Sequence, residues 1–339
     1  MNLPSVSIII PTYNSAKVLK GCLAEIRKQD YPRNKIEIII ADAGSTDRTL
    51  KIAKEFHVNK IVHNKLKTAE AGKAAGLKEA KNEIVALVDS DNILDGKDWL
   101  KRMVAPFADK KIVGTEPIKY TYRKKDGLIT RYCALIGAND PLCIFLGNYD
   151  RRCLLTGRWT GLPVYSEDKG DYLKITLKKG AVPTIGANGF LIRKNELVKC
   201  SVENYLFDID IVTELVEKNK NKFAKVKTGI VHIFSGNSST FARKQRRRVN
   251  DFMYYKKLGA RKYPWQRISK IGILKFVAYC ILVLPLIAQA VIGYSRKADS
   301  AWLFHPVACW ITLWTYAVGS IRGTFSTAIE NRENWRQTA

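Results

Sequence analysis

The stretch Ile84-Val85-Ala86-Leu87-Val88-Asp89-Ser90-Asp91-Asn92 runs from five apolar residues straight into two carboxylates one residue apart. A short, continuous, β-branched-rich apolar run reads as a strand covered on both faces, which points to a parallel sheet. In open α/β sheets the ligand lies beyond the carboxyl ends of the strands, so Asp89 and Asp91 are expected at the mouth of a cleft. Two close carboxylates suit a hard divalent cation, which takes one or two protein carboxylates and completes its shell with water and phosphate oxygens. The same residues could equally form a polar turn that caps the next helix. Their surroundings have to decide.

Outward from this strand the pattern repeats. Val6-Ser7-Ile8-Ile9-Ile10 and Ile36-Glu37-Ile38-Ile39-Ile40-Ala41 are expected strands, with Lys60-Ile61-Val62 a short third one. Between them lie helical patterns through Val18, Leu19, Cys22, Leu23 and Ile26, around Leu50–Phe56, and over Ala69–Ala80. Strand–helix alternation with short connections implies a doubly wound α/β domain with a mostly parallel sheet. The second strand ends in Asp42-Ala43-Gly44-Ser45-Thr46-Asp47, carboxylates and hydroxyls around one glycine. Such a loop serves either to cap a helix or to satisfy the donors of a ligand. Neither G-x-G-x-x-G after the first strand nor a P-loop is present.

Three of these segments, Val-Ser-Ile-Ile-Ile-Pro-Thr-Tyr-Asn (6–14), Asp-Ala-Gly-Ser-Thr-Asp-Arg-Thr (42–49) and Val-Asp-Ser-Asp-Asn (88–92), resemble the successive nucleotide-sugar motifs of family 2 glycosyltransferases. They come in the family's order and at its strand ends, over residues 4–115. The resemblance implies the glycosyltransferase A fold, a Rossmann-like nucleotide-diphospho-sugar transferase domain. It implies that Pro11, Tyr13 and Asn14 line the base pocket and that Asp42 hydrogen-bonds the base, with Gly44, Ser45 and Asp47 in the same loop. Lys73 would approach the diphosphate, although a solvated helix face is the other reading of that residue. Asp89 would face the ribose and a hydrated metal, with Ser90 beside it, and Asp91 would ligate Mg²⁺ or Mn²⁺ directly. One departure is Ser15, where many members carry Glu.

Over residues 113–183 the resemblance fades. Ile112–Tyr122 and Tyr172–Leu177 read as strands, and the apolar stretch near 128–164 as a helical insertion beside the cleft or on a membrane surface. The likeness returns at Pro183–Arg193, similar to the family loop that closes over sugar and acceptor, which places Asn188 and Gly189 there; a turn leading into a strand is the alternative. In Tyr205-Leu206-Phe207-Asp208-Ile209-Asp210-Ile211 a phenylalanine stands where the family has Glu, and Asp208 keeps the position of the catalytic base. An inverting transfer to a hydroxyl needs such a carboxylate; otherwise Asp208 and Asp210 merely cap the next helix. His232 is either structural or, as the resemblance implies, a contact to metal or diphosphate. Lys244-Gln245-Arg246-Arg247-Arg248-Val249 resembles the family's Gln-x-x-Arg-Trp segment with Val for Trp. Gln245, Arg247 and Arg248 are expected at the acceptor or diphosphate, but these cations suit anionic headgroups equally well.

The chain of 339 residues holds 57 Lys+Arg against 31 Asp+Glu, a formal charge of +26, which implies an anionic partner. The positive charge is spread through the chain and no nucleic-acid module is recognisable, so no nucleic-acid partner is expected. Seven scattered cysteines without C-x-x-C argue against a disulfide framework or zinc site. Met1-Asn2-Leu3-Pro4 lacks the charged and apolar regions of a signal peptide. Ile271–Tyr294 and Trp302–Ile321 each reach the roughly 20-residue length that spans a bilayer, with Tyr294 and Trp302 flanking a short connector as interface anchors. Such a hairpin would keep body and tail on one side, the cytoplasmic one by charge. Helices lying in one leaflet and a buried hairpin are the alternatives.

The expected organisation is therefore a nucleotide-sugar-binding half (1–115), an acceptor-binding half (116–249), a basic-aromatic interfacial segment (250–270), two transmembrane helices (271–321) and a polar tail (322–339). The expected activity is inverting transfer from a nucleotide diphosphate-sugar, UDP-linked by preference, to a lipid-linked saccharide or polyprenyl phosphate at a multi-pass cell membrane. A processive polysaccharide synthase is the enzymatic alternative, and a non-enzymatic nucleic-acid- or membrane-binding protein the alternative of another class.

Overall fold

In a computed structural model of the chain, which describes residues 3–234, 236–257, 259, 261–263 and 269–325, the alternation at the start folds as β1 (Val6–Thr12), α1 (Ala16–Arg27), β2 (Ile36–Asp42), α2 (Thr49–Glu55), β3 (Lys60–His63), α3 (Ala69–Glu79) and β4 (Ile84–Leu87). β1 lies between β2 and β4, parallel to both, and β3 continues parallel to β2. Successive strand residues point to opposite faces. Ile8, Ile10, Ile38 and Ile40 therefore pack with Leu19, Cys22, Leu23 and Ile26 of α1, while Ile9, Ile39, Val85 and Leu87 pack with Ala74 and Leu77 of α3. Helices on both faces are why these strands read as unbroken apolar runs.

The chain continues through β5 (Asn92–Leu94), α4 (Trp99–Val104), β6 (Gly114–Tyr120), α5 (Leu128–Ile136), α6 (Leu142–Leu146), β7 (Tyr165–Asp168), β8 (Tyr172–Thr176), β9 (Phe190–Arg193), α7 (Lys194–Leu197), α8 (Asp208–Glu217), β10 (Lys222–His232) and α9 (Ser238–Lys257). The sheet order is β3-β2-β1-β4-β9-β6-β10-β8-β7, with β5 paired to β10 off that path. The expectation of a mostly parallel sheet is corrected here. β9 runs antiparallel to both β4 and β6, and β8 and β7 extend the far edge antiparallel, so the sheet is mixed. The reason is local: β9 starts from a loop already at the carboxyl end of β4, where the Gly189 N–H donates to the Leu87 carbonyl at 2.9 Å. A strand entering there has to run back.

Three helices close the described chain: α10 (Lys270–Leu282), α11 (Leu284–Arg296) and α12 (Phe304–Phe325). The single span expected over 271–294 is broken. Val283 takes φ 59°, and α10 and α11 meet at 96°. Pro285 sits in the first turn of α11, where its missing N–H costs nothing, but it could not have continued α10. Among the described residues no single helix is long and apolar enough to cross a membrane; the bent pair passes that test only jointly, by length and composition. The second expected span, α12, docks on α9 instead. A Cβ on Gly319 would clash with Val249, and one on Gly323 would come within 2.8 Å of Met253, so the two glycines let the helices approach. Trp302, expected as an interface anchor, is 1% exposed and packs with Tyr132, Phe241 and Phe304. Residues 258, 260 and 264–268 of the expected interfacial segment and 326–339 of the expected tail lie outside the described residues.

Candidate active site

Asp89 and Asp91 stand where β4 ends and turns into β5. The turn is closed from both sides: the Asp89 N–H donates to Asn92 Oδ1 at 3.0 Å, and the Asn92 N–H to the Asp89 carbonyl at 2.9 Å. Antiparallel pairing of β5 with β10 puts Asn92 opposite His232, which brings His232 Nε2 to 3.4 Å and Lys244 Nζ to 3.8 Å from Asp91 Oδ2. Burial alone would raise the Asp91 carboxyl, but His232 and Lys244 outweigh it and hold the group down at about 2. Among the described residues no three His, Cys, Asp or Glu side chains converge into a full metal cage. Asp91 and His232 could hold only one edge of a coordination shell, an arrangement that suits a cation whose remaining positions go to phosphate and water.

Lys73 resolves its own ambiguity. It is 4% exposed on the sheet-facing side of α3, so it is no solvated helix face. Its ammonium donates to Asp208 Oδ2 at 2.6 Å and lies 3.8 Å from Asp89 Oδ1, tying the two carboxylate sites together. Burial would lower the ammonium, but Asp208 and Asp89 hold it above the usual lysine range. Asp208 itself is pushed up to about 7, by burial first, with Lys73 pulling the other way. It is the first residue of α8, after the N-cap Phe207, and its Oδ1 is buried without a hydrogen-bond partner. Asp210 is also no cap: it holds Arg261 and the Tyr263 N–H at 2.5 and 2.6 Å. A buried carboxylate with one oxygen anchored, the other unengaged and a pKa near neutrality is suited to take a proton.

The base-side loop is organised by itself. Asp42 accepts from Thr12 Oγ1 at 2.9 Å, Gly44 N at 2.9 Å, Ser45 N at 2.8 Å and Ser45 Oγ at 2.6 Å. Asn14, at φ 47°, accepts from the Thr46 N–H at 2.8 Å. Asp47 receives the Ala16 and Thr49 N–H groups at 3.0 and 2.9 Å, holding the starts of α1 and α2. Ser15 and Ser90 touch through their hydroxyls at 3.2 Å, which joins the first and third motifs. Pro11 is buried in β1 and Tyr13 follows it at the same edge. The structure thus gathers all three motifs on one rim.

On the other rim, Asn188 (φ 53°) bonds Asn92 at 3.0 Å and the Tyr120 hydroxyl at 3.1 Å. Gly186 is the point of closest approach: at φ 132°, a Cβ there would fall 2.7 Å from that of Asp208. This loop is fixed from beneath by a buried ion cluster. Glu116 takes the Gly186 N–H at 2.9 Å, Lys225 at 2.6 Å and Arg151 at 2.5 Å, while Arg151 donates to the Ala187 and Asn188 carbonyls at 2.9 and 3.2 Å. Behind the loop opens a cavity of about 500 Å³, whose wall includes Asn139, Asn148, Asn188, Asp208, Arg247 and Arg248. Gln245 is not on that wall. It is fully buried, donating to the Asn139 carbonyl at 2.7 Å and accepting from Arg248 at 2.7 Å, and with Tyr316 it braces α9 against α12.

Sequence reading missed Glu116, Arg151 and Lys225 as a unit, and Asn92, Asn139, Asn148 and Lys244 as individuals. The one available signal was a charged residue inside an otherwise apolar strand, as at Glu116 and Lys225; buried charges persist only when paired. The partners are contributed by segments far apart in sequence, so no spacing rule finds them.

Residues 7–149 match the family model described as Glycosyl transferase family 2. The chain is similar to glycosyltransferase AglE of Haloferax volcanii, 30% identical over 137 residues, covering 38% of this chain and 44% of that protein. It is also similar to the poly(ribitol-phosphate) beta-N-acetylglucosaminyltransferase TarS of Staphylococcus aureus, 37% identical over 105 residues, 29% of this chain and 18% of that one. The chain thus spans less than half the length of these curated relatives. In structure it resembles the mannosyltransferase PcManGT of Pyrobaculum calidifontis, solved with GDP-Man and Mn²⁺, at a TM-score of 0.57 and 16% identity over 96% of this chain and 88% of that one. That likeness shows a common α/β fold of glycosyltransferase A type. The three motifs gathered on one rim of the mixed sheet all lie within residues 7–149, the stretch that matches glycosyl transferase family 2.

Proposed function

We propose that the protein is an inverting glycosyltransferase that moves a sugar from a nucleotide diphosphate-sugar to a lipid-linked acceptor, a saccharide or a polyprenyl phosphate, at the cytoplasmic face of a membrane. The observation that carries this reading is the Lys73 bridge, which sets Asp208, with its unengaged Oδ1, beside the Asp89–Asp91 pair. When the acceptor is a hydroxyl, Asp208 takes its proton as the oxygen bonds the anomeric carbon. The bond from that carbon to the diphosphate breaks on the opposite face, and the diphosphate leaves with the electron pair. Asp91 and His232, with Asp89 alongside, would hold Mg²⁺ or Mn²⁺, whose charge would offset that of the diphosphate. Lys73 and Lys244 add fixed positive charge along the same edge.

The lipid part of the reading is supported by the surface. Ile271, Leu274, Ile281, Leu282, Leu284 and Val291 are all exposed on α10 and α11, an apolar area larger than scattered surface residues provide. Because α10 and α11 are bent, they fit insertion into one leaflet better than a crossing. Leu142 and Leu146 of α6 and Ile273 of α10 also line the cavity, so its wall runs from Asp208 toward this surface. A relative from Methanococcus voltae, 33% identical over 118 residues and matched over 36% of its own length, is named dolichyl N-acetyl-alpha-D-glucosaminyl phosphate 3-beta-D-2,3-diacetamido-2,3-dideoxy-beta-D-glucuronosyltransferase, which accords with such an acceptor.

The test is a panel of UDP- and GDP-sugars with Mg²⁺ or Mn²⁺, reading binding and slow donor hydrolysis. At least one donor should be bound and turned over in a metal-dependent way, with Asp91→Ala lowering turnover by about a thousandfold, the scale of losing preorganised charge stabilisation. Binding of no donor would sink the proposal.

A further inference from the structure

Asp208 is not alone among the cavity's unengaged oxygens. Among the described residues, Asn148 Oδ1 and Asn139 Oδ1 are also buried without a hydrogen-bond partner, and both residues stand on the same wall as Asp208. Asn139 is committed elsewhere, its amide nitrogen lying 3.2 Å from His232 Nδ1. Asn148 is 5% exposed and its Oδ1 meets no donor, while the nearby Tyr263 hydroxyl donates to the Val182 carbonyl at 2.8 Å. No described donor of the protein satisfies the Asn148 carbonyl oxygen. Buried acceptors normally find a donor. Two on one wall ask for a ligand that donates hydrogen bonds.

A phosphate monoester offers acceptor oxygens, not donors, at neutral pH, whereas a sugar ring offers several hydroxyls. The charges agree. Five carboxylates stand on the wall against four cations, and three of those cations already face acids: Arg248 at 3.5 Å from Asp140, Arg261 at 2.5 Å from Asp210 and Lys244 at 3.8 Å from Asp91. The wall's own side chains offer a dianion no surplus of positive charge, Lys73 and Arg151 being paired with Asp208 and Asp150 from behind it. We infer that the acceptor group received in this cavity is a saccharide bearing free hydroxyls and not a phosphate, and that Asn148 is a specificity-determining residue that accepts from one of those hydroxyls while Asp208 accepts from the reacting one. The inference rests on the glycosyltransferase reading and narrows its acceptor class.

The experiment uses the full chain with Mn²⁺ and radiolabelled UDP-glucose, UDP-N-acetylglucosamine and GDP-mannose. Octyl glycosides of glucose, galactose, mannose and N-acetylglucosamine are offered against octyl and farnesyl phosphate. Label should pass to at least one glycoside and to neither phosphate. In Asn148→Leu, melting checked against the parent, the KM for that glycoside should rise about fivefold or more, the scale of one hydrogen bond, while kcat moves less than threefold. Transfer to an alkyl phosphate as efficient as to the best glycoside overturns the inference, as does donor hydrolysis with no glycoside accepted or an unchanged KM in Asn148→Leu; each leaves the glycosyltransferase reading standing. If no donor is consumed at all, both fall together. Should the variant fail to fold, the glycoside–phosphate comparison in the unaltered protein still decides.

Discussion

The two rims of the cleft are built by different rules. On the donor rim most contacts are short in sequence or lie between neighbouring strand ends: Asp42 gathers its bonds from Thr12, Gly44 and Ser45, and Asp89 from Asn92, with His232 and Lys244 reaching Asp91 from afar. On the acceptor rim the contacts are remote. Asp208 is held by Lys73, 135 residues away, and the Asn188 loop by Arg151 and Glu116. A rim shaped by its own backbone leaves a motif in the sequence. A rim shaped by packing leaves only isolated residues whose meaning depends on what they meet.

The largest expected effect that sharpens this contrast is at Asp208. With a hydroxyl acceptor, Asp208→Asn should lower kcat by about a hundredfold to ten-thousandfold, the range of a lost general base, in a single-turnover assay; appreciable turnover would argue for an acceptor that is already ionised. Next comes the buried cluster. Arg151→Met removes one partner of Glu116 inside the protein, and the structure should lose about 3–5 kcal/mol, read as a lower midpoint in urea. A loss below about 1 kcal/mol would mean that the acceptor loop does not depend on this remote anchor.

Lys73→Met probes the bridge between the rims. The lysine pulls the Asp208 pKa down from where burial would put it, and the group stands at about 7. Without it the acid form of Asp208 persists to higher pH, so a base needed in its ionised form loses activity over a wider range. The acid limb of the kcat profile should move upward by about one unit, equivalent to about 1.4 kcal/mol. A limb that stays put, or moves down, breaks the assignment of Asp208 as the base. The smallest effect concerns the apolar surface: Leu274→Asp with Leu284→Asp should weaken association with anionic vesicles about tenfold or more, measured by flotation, with the donor rim untouched. Unchanged flotation would remove the case for a lipid-facing α10–α11.

The C-terminal helices show how the same contrast misleads. Read as strings, 271–294 and 302–321 have the length and apolarity of spans. Composition reports only that a segment avoids water, and lipid and protein satisfy that equally. Pro285 announced the break at Val283, yet a proline is also tolerated within lipid-embedded helices. The pair Gly319 and Gly323 could pack on any helix; that it packs on Val249 and Met253 accounts for Val249, since a tryptophan in its place would meet α12.

What the sequence determined by itself is therefore the first half of the domain: the strands β1, β2 and β4 and the loops at their carboxyl ends that carry Asp42, Asp89 and Asp91. Those features follow from periodicity and from the rule that ligands gather at strand ends. Only the tertiary structure decided that β9 enters antiparallel and makes the sheet mixed, that Lys73 is a bridge and not a surface charge, and that Gln245 is a brace and not a ligand contact. It alone joined Glu116, Arg151 and Lys225. The physical reason is one of range. Backbone geometry and side-chain period act over a few residues and are written locally, whereas burial and charge pairing join residues more than a hundred positions apart, where the free energy of a buried ion depends wholly on the partner that folding brings to it.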